Sequence, residues 1–287
     1  MNTNTKNTNT KNINMENMNM NMNTNVLDTF SLKGKVALIT GGAGKYGRQL
    51  VEGLAQAGAK TYVASRQLDK LKELAVEINT GKDSDRNGEV VPLHVDQGDE
   101  ASILALRDEI LKRENGIDIL VNNAVSRPMK SWNDDASKFA ESMQVNATGI
   151  FLMTRAFGDV MAAAGKGSII NIGSMQGMIG PDATLYEGLS FHGFIPDYFF
   201  HKGGMINFTR FAASYYGPKN VRCNCLSPGG FLANQPEEFI ERYSKRTFLG
   251  RMANDSDLRG IVVFLASDAS LYITGANIPV DGGYTAK

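Results

Sequence analysis

The sequence is poor in cysteine and has no excess of charge of either sign. Its 287 residues include two cysteines, Cys223 and Cys225, which are too close together for a good disulfide and too few for a zinc site. The 30 basic residues balance the 30 acidic ones, which argues against capture of nucleic acid or an anionic membrane by charge. No apolar run reaches the roughly 18–20 residues that span a membrane. We therefore expect a reduced, cytoplasmic protein with no metal and no membrane or nucleic-acid partner.

The first 26 residues differ in composition from the rest of the chain. Residues 1–25 contain eleven asparagines, interleaved with Thr, Met and Lys, and lack the continuous apolar segment of a secretory signal. Asparagine favours local turns over helix, so an amphipathic helix is not expected here. We predict a disordered low-complexity tail over 1–26, with a partner-binding or targeting segment as the alternative, and one folded domain over 27–287.

Strand-like and helix-like stretches alternate along the rest of the chain. Apolar runs rich in β-branched residues predict strands, and the stretches between them carry apolar residues at helical spacing. Strands that are apolar on both faces are typical of a parallel sheet covered by helices. We predict an α/β fold, a single doubly wound Rossmann-type domain with a parallel seven-stranded sheet. The predicted strands are 35–40, 60–65, 89–95, 118–122, 168–172, 221–226 and 277–280, and the predicted helices are 46–57, 69–78, 100–113, 137–164 and 197–216.

A glycine-rich turn, TGGAGKYG, follows the first predicted strand at residues 40–47. Glycines at this junction let the backbone turn sharply and let a pyrophosphate approach the amides. The helix that follows adds unpaired N–H groups and the positive end of its dipole. We expect a dinucleotide to bind here, and a tight turn without a ligand is the alternative. The candidate contacts are Gly41, Gly44, Lys45, Tyr46 and Gly47.

The end of the second predicted strand indicates the type of dinucleotide. Folds that bind NAD place Asp or Glu there to bind the ribose 2′-hydroxyl. This chain has Ser65 and Arg66, which suit a 2′-phosphate, and Lys45 adds a second positive charge. We predict NADP, with NAD as the alternative cofactor. Asp96, after the third predicted strand, is expected to bind the adenine amino group or to cap the next helix.

Several further motifs occur in the order that one enzyme family shows. They are the turn at 40–47, Asn122-Asn123-Ala124, Asn146, Ser174, Tyr198-x-x-x-Lys202 and Ser227-Pro228-Gly229. On these motifs the chain resembles the short-chain dehydrogenase/reductase family over residues 33–283. The resemblance implies an NAD(P)-dependent oxidoreductase that interconverts small-molecule alcohols and carbonyls, and a homotetramer. It also implies that the cofactor contacts Asn123, Ala124, Tyr198, Lys202, Pro228 and Gly229.

Two positions depart from the family pattern. Lys45 stands where the family turn has its middle glycine, with Gly44 one residue early, and Val125 replaces the glycine that follows Asn-Asn-Ala. Both changes lie where the backbone approaches the cofactor. A narrower resemblance, carried by residues 186–188 and 227–236, is to bacterial oxidoreductases of surface-glycan or flagellin modification, which implies a sugar-derived substrate.

The proposed chemistry depends on a tyrosine and a lysine that are four residues apart. Tyr198 and Lys202 share one face of a predicted helix, and an ammonium beside a phenol lowers the phenol pKa. We predict that Tyr198 is the general acid and base and that Ser174 holds the substrate oxygen. The resemblance implies that the backbone carbonyl of Asn146 holds a water that relays protons to Lys202. An asparagine that satisfies core polar groups is the alternative.

A second pair, Tyr215 and Lys219, has the same spacing. Gly217 and Pro218 lie between them and should end the helix, so the two side chains need not share a face. We therefore exclude this pair from the predicted site.

Ser174 and Tyr198 are 24 residues apart, which is more than the family spacing. The additional residues fall within 183–196 and join two site elements, so this segment should line or cover the substrate pocket. Its candidate polar contacts are Tyr186, Glu187 and His192, with ordinary loop positions as the alternative. His94 and His201 are interpreted as structural.

Two other function classes use the same scaffold. A dinucleotide-binding regulatory protein has no need of the Ser174, Tyr198 and Lys202 set. An epimerase or dehydratase of the extended branch carries a larger C-terminal substrate domain than the 58 residues that follow Gly229. The predicted helices 137–164 and 197–216 are apolar on more than one face, which favours a homo-oligomer, a tetramer with two-fold symmetry.

Overall fold

A parallel sheet of seven strands lies at the centre of the residues that the computed structural model describes, which are 25–81, 88–190 and 193–287. The strands are β1 (Val36–Thr40), β2 (Lys60–Ser65), β3 (Val90–His94), β4 (Ile119–Asn122), β5 (Gly167–Ile172), β6 (Val221–Pro228) and β7 (Asn277–Val280). Their spatial order is β3-β2-β1-β4-β5-β6-β7. The strand order proceeds outward from β1 in one direction and outward from β4 in the other, so it reverses between these two neighbouring strands. Doubly wound folds bind ligands in the crevice at such a point.

The helices cover both faces of the sheet because each strand alternates its side chains between them. Ala37 and Ile39 of β1 are fully buried on one face, and Leu38 is fully buried on the other. Helices α1, α2 and α8 cover the first face, and α3, α5 and α6 cover the second. The helices are α1 (Lys45–Gln56), α2 (Leu68–Thr80), α3 (Glu100–Arg113), α4 (Ala136–Met143), α5 (Gly149–Ala164), α6 (Pro196–Tyr216), α7 (Glu237–Ser244) and α8 (Arg259–Ala266).

The predicted parallel sheet and Rossmann-type fold are confirmed, and three helix predictions need correction. The stretch 137–164 is not one helix, because a π-helical turn at Gln144–Thr148 separates α4 from α5. This turn adds a residue to the helical repeat, which a pattern of apolar residues does not reveal. Helices α7 and α8 were not predicted. Both are eight residues long, and α8 is apolar on nearly every side, so it has little periodicity.

The predicted tail lies almost wholly outside the described residues, and its disorder stays a prediction. From Asn25 onward the chain forms a 3₁₀ turn, Val26–Phe30. The Phe30 ring contacts Phe264, with ring centres 6.1 Å apart, and Leu32 is fully buried in the core. Both cysteines are buried free thiols. Within the described ranges, no helix has both the length and the apolar character needed to cross a membrane.

Candidate active site

A cleft of about 970 Å³ opens at the carboxyl ends of the strands. It extends from the end of β2, across the glycine-rich turn and the end of β4, to the loops that follow β5 and β6. All the predicted catalytic and cofactor-binding residues except Asn146 line it. The strand ends therefore bring together motifs that are far apart in the sequence.

The glycine-rich turn is packed too tightly for side chains at Gly41, Gly42 and Gly47. Gly41 has a φ of +71°, and a Cβ there would lie 2.8 Å from the Cα of Ala124. A Cβ on Gly47 would lie 2.3 Å from the Gly41 carbonyl oxygen. Helix α1 begins at Lys45, and the residue before it, Gly44, supplies no side-chain cap. The first-turn amides of α1 therefore face the cleft without a side chain that competes for them, which suits a pyrophosphate.

Asn123 connects the ends of β1 and β4. Its side-chain amide donates 2.9 Å hydrogen bonds to the carbonyl oxygens of Thr40 and Gly41. The Thr40 hydroxyl in turn accepts from the backbone amides of Asn123 and Ala124. This network holds the floor of the cleft in place, so the Asn123 amide group has a structural role there. A contact between Asn123 and a cofactor stays a prediction.

The far end of the cleft, beside β2, carries three exposed lysine or arginine side chains. Lys45, Arg66 and Lys70 all line it, and none forms an ion pair with a carboxylate of the described residues. Lys70 lies on α2, four residues after Arg66, and was not predicted. The Ser65 hydroxyl accepts from the Gln67 amide. This concentration of positive charge suits a phosphate group.

The predicted alternative for Asp96, a helix cap, is wrong. The residue that caps α3 is Asp99, whose carboxylate accepts from the amides of Ala101 and Ser102. Asp96 lines the cleft, and one of its carboxylate oxygens accepts a 2.9 Å hydrogen bond from the Gly98 amide. Its other oxygen is the atom that could accept from an adenine amino group.

Tyr46 joins the glycine-rich turn to the loop that follows β6. Its hydroxyl donates a 2.7 Å hydrogen bond to the Gly229 carbonyl, and its ring packs edge-on against Phe231 at 5.2 Å. Burial raises the pKa of this phenol, so it stays neutral. Tyr46 therefore shapes the cleft through its ring, while its hydroxyl is already bonded.

Ser174, Tyr198 and Lys202 lie together at the end of β5. The Lys202 ammonium donates a hydrogen bond to the carbonyl of Ile172, the last residue of β5, and lies 5.7 Å from the Tyr198 ring centre. Burial disfavours the Tyr198 phenolate, but the charges of Lys202 and Arg127, with hydrogen bonding from Ser174 and Arg127, outweigh that cost. The pKa of Tyr198 is therefore lowered from its usual value of about 10.

Arg127 is a second cleft residue, besides Lys70, that the sequence analysis missed. It lies in the loop after β4, lines the cleft, and places its guanidinium carbon 4.5 Å from the Tyr198 ring centre. Its only sequence signal is its position three residues after Ala124. The cleft at Tyr198 thus contains two positive charges, one buried on Lys202 and one exposed on Arg127.

Asn146 lies in the π-helical turn and is buried. Its side-chain oxygen accepts from the Ser126 amide, and its nitrogen donates to the Ser126 carbonyl and to the Ser142 hydroxyl. The side chain therefore forms hydrogen bonds with polar groups of the core, which is the role that the sequence analysis gave as the alternative for Asn146. The water relay through its backbone carbonyl stays a prediction.

The described part of the segment 183–196, which is 183–190 and 193–196, forms one wall of the cleft. Tyr186 lines the cleft, and its ring packs against Phe239 of α7 and against Phe194, with ring centres 5.4 Å apart in both pairs. Glu187 does not line the cleft, and its carbonyl accepts a 2.7 Å hydrogen bond from Arg242. His192 lies outside the described residues. The segment is thus fixed by α7, an element that the sequence analysis did not predict.

The excluded pair, Tyr215 and Lys219, is not part of the cleft. Tyr215 is 58% exposed near the end of α6, and Lys219 lies in the 3₁₀ turn that follows that helix. His201 is buried beside Tyr198, and its pKa falls to about 3 because of burial and the nearby charges of Lys202 and Arg127. His201 is therefore neutral at any working pH, in agreement with a structural role.

The doubly wound sheet and the Ser-Tyr-Lys set at the end of β5 define an oxidoreductase of the Rossmann type. A family model described as "Enoyl-(Acyl carrier protein) reductase" matches residues 44–285. The chain belongs to the short-chain dehydrogenase/reductase family.

Three similar proteins illustrate the range of this family. The chain is 32% identical to the 3-oxoacyl-[acyl-carrier-protein] reductase FabG of Aquifex aeolicus, over 88% of this chain and 98% of that protein. It is 34% identical to the 3-alpha-(or 20-beta)-hydroxysteroid dehydrogenase of Mycobacterium tuberculosis, over 89% of this chain and 91% of that protein. A gluconate 5-dehydrogenase from Burkholderia cenocepacia, solved in complex with NADP and tartrate, is 31% identical with a TM-score of 0.80, over 92% of this chain and 100% of that one. The names differ in substrate and agree in reaction type.

Proposed function

We propose that this protein is an NADP-dependent dehydrogenase or carbonyl reductase in which Tyr198 is the general acid and base. The observation that carries the proposal is the placement of Tyr198 in the cleft beside Ser174 and the buried Lys202 ammonium, an arrangement that lowers the pKa of the phenol. A phenol with a lowered pKa transfers a proton at moderate pH. A regulatory dinucleotide-binding protein has no use for such a group.

The residues of the cleft fit a nicotinamide dinucleotide phosphate. The tight turn at Gly41 and Gly47 leaves room for a pyrophosphate at the start of α1. Lys45, Arg66 and Lys70 would hold the 2′-phosphate, and Asp96 would contact the adenine. When bound, the nicotinamide supplies or accepts the hydride that interconverts carbonyl and alcohol. The NADP complex of the similar gluconate 5-dehydrogenase supports this choice.

The remaining steps belong to side chains of this chain. Ser174 would donate a hydrogen bond to the carbonyl oxygen of the substrate and orient it toward Tyr198. In reduction, the Tyr198 hydroxyl protonates that oxygen, and in oxidation the phenolate removes the proton. Lys202, fixed to the Ile172 carbonyl, stabilises the phenolate in both directions. Pro228, the last residue of β6, and Gly229, which follows it, would close the nicotinamide end of the cleft.

The assembly and location of the protein are part of the same proposal. Phe200 and Phe211 of α6 are 65% and 64% exposed, and Phe151 of α5 is 45% exposed. Exposed apolar side chains that are grouped on neighbouring helices usually mark an interface. We infer a homotetramer that buries α5 and α6, located in the cytoplasm. The narrower resemblance to glycan-modification oxidoreductases stays a prediction.

The test is turnover of a carbonyl panel with NADPH and with NADH. The panel contains neutral ketones, hydroxyketones, neutral sugars and oxo acids. We expect turnover of at least one class, faster with NADPH than with NADH at low cofactor concentration. Tight NADPH binding without turnover of any class would contradict the proposal and support the regulatory alternative.

A further inference from the structure

The substrate end of the cleft contains a second positive charge, that of Arg127, in addition to the charge of Lys202 beside Tyr198. Lys202 is buried and already stabilises the Tyr198 phenolate, whereas Arg127 is exposed to the cleft. We propose that Arg127 binds a carboxylate of the substrate, so that the substrate is a short hydroxy acid and its product the corresponding oxo acid. This inference rests on the proposed function, because it requires Tyr198 to mark the reacting oxygen.

The acidic side chains of the described residues do not neutralise the charge of Arg127. No carboxylate of the described residues forms an ion pair with Arg127, whereas other arginines near the cleft are paired, Arg246 with Asp182 and Arg251 with Asp257. Among the described residues, Asp182 is the carboxylate that lines this end of the cleft, and it is already paired with Arg246. Lys130, also exposed on the cleft, adds to the positive potential. An anionic ligand would therefore be attracted to this end of the cleft.

The geometry of the guanidinium suits a carboxylate better than a single oxygen atom. Arginine presents five N–H donors in a planar fork that matches the two oxygens of a carboxylate. One side of the Arg127 fork faces the Tyr198 ring at 4.5 Å, and its exposed side borders the cleft. A lysine here would supply the charge without the fork.

The closeness of Arg127 to Tyr198 limits the length of the acid. Tyr198 contacts the reacting oxygen, and the guanidinium lies over the same ring. A carboxylate held by Arg127 through charge-assisted bonds of about 2.7–2.9 Å must therefore lie within a few bonds of the reacting carbon. Long-chain acids with a distant carboxylate do not meet this requirement.

The experiment compares matched charged and neutral substrates in the wild type and in Arg127 variants. Oxo acids of three to six carbons are paired with their methyl esters and reduced with NADPH, and kcat/KM is measured for each pair. The variants are Arg127→Met, which removes the charge, and Arg127→Lys, which keeps the charge without the fork. Arg113→Gln, which removes a surface arginine paired with Glu109 on α3, is the control.

We expect the wild type to prefer the acid of at least one pair. Arg127→Met should lower kcat/KM for that acid by about 10- to 100-fold relative to its ester, the range for hydrogen bonds to a charged group. Arg127→Lys should lose part of that factor, and Arg113→Gln none. Calorimetric binding of the matching hydroxy acid to the NADP-loaded protein should weaken in parallel.

Three kinds of outcome would overturn the inference in distinguishable ways. Equal losses for acid and ester, or a wild type that prefers neutral ketones, would show that Arg127 does not select a carboxylate, while the proposed function stands. Absence of turnover for every acid, ester and neutral ketone, with NADPH bound, would reject the proposed function and this inference with it. A fall in NADPH affinity alone would assign Arg127 to the cofactor instead.

Discussion

Lys202 donates a hydrogen bond from its ammonium to the carbonyl of Ile172, the last residue of β5. This bond fixes a flexible side chain to the rigid sheet, 5.7 Å from the centre of the Tyr198 ring. Lys202 on α6 can reach Ile172 on β5 because α6 packs along β6, the neighbour of β5. The sheet thus determines how close the ammonium comes to the phenol.

Replacing Tyr198 with Phe should abolish most of the turnover and leave NADPH binding nearly unchanged. The phenol supplies the transferred proton and little of the cofactor affinity, and such groups typically contribute about 10²–10⁴ in rate. Steady-state kinetics and a fluorescence titration with NADPH measure the two effects. Tyr215→Phe is the matched control and should keep kcat within a few-fold of the wild type. If Tyr198→Phe kept most of the activity, another residue would be the acid and base.

The pH profile should report the lowered pKa of Tyr198. Oxidation needs the phenolate, so its rate should rise with pH through that pKa, whereas reduction needs the phenol and should fall through it. Because Lys202 and Arg127 lower the pKa below about 10, both midpoints should lie below that value. Lys202→Met removes one of these charges and should move both midpoints to higher pH. Profiles that are identical in the variant and the wild type would exclude this role for Lys202.

Cofactor preference should depend on Arg66 and Lys70. Arg66→Ala should weaken NADPH binding by about 1.5–3 kcal/mol, the range for a hydrogen bond to a charged group, and leave NADH binding nearly unchanged. Lys70→Ala should act in the same direction. Lys72→Ala is the control, because Lys72 lies on the same helix and pairs with Asp69. Calorimetric titration with each cofactor measures these affinities, and equal losses for NADPH and NADH would assign Arg66 a structural part.

The sequence predicted the strands well because each one carries its own signal. A short run such as VALIT in β1 is apolar on both faces and ends at a glycine-rich turn, so both its type and its end can be read locally. The motif residues could be predicted because they lie directly at the ends of these strands. Asp96 was harder to interpret, because Asp96 and Asp99 both precede α3 and the local sequence does not show which of them caps it.

The features that were missed depend on packing between distant elements. The π-helical turn is compatible with an uninterrupted apolar pattern, so the sequence does not show it, and within the turn Asn146 forms hydrogen bonds with Ser126 and Ser142. Arg127 and Lys70 reach the cleft through the course of a loop and the orientation of a helix. Neither of these is encoded in a local motif. Charged side chains outside the family motifs therefore also contribute to the cleft.

The exposed aromatic side chains of α5 and α6 lead to a prediction about assembly. Phe211 and Tyr215 of α6 stack at 6.2 Å and remain exposed, an arrangement that a monomer would leave in water. Phe200→Glu combined with Phe211→Glu would place charges in a buried interface and should dissociate the tetramer. Val76→Glu, at a 62% exposed position on α2, is the control and should leave the assembly unchanged.

Sedimentation velocity at micromolar concentration measures this assembly. The wild type and Val76→Glu should sediment as a tetramer, and the double variant as a smaller species. A wild type that sediments as one species near the mass of a single chain, 31.2 kDa, would contradict the prediction. The aromatic face of α5 and α6 would then need another cover.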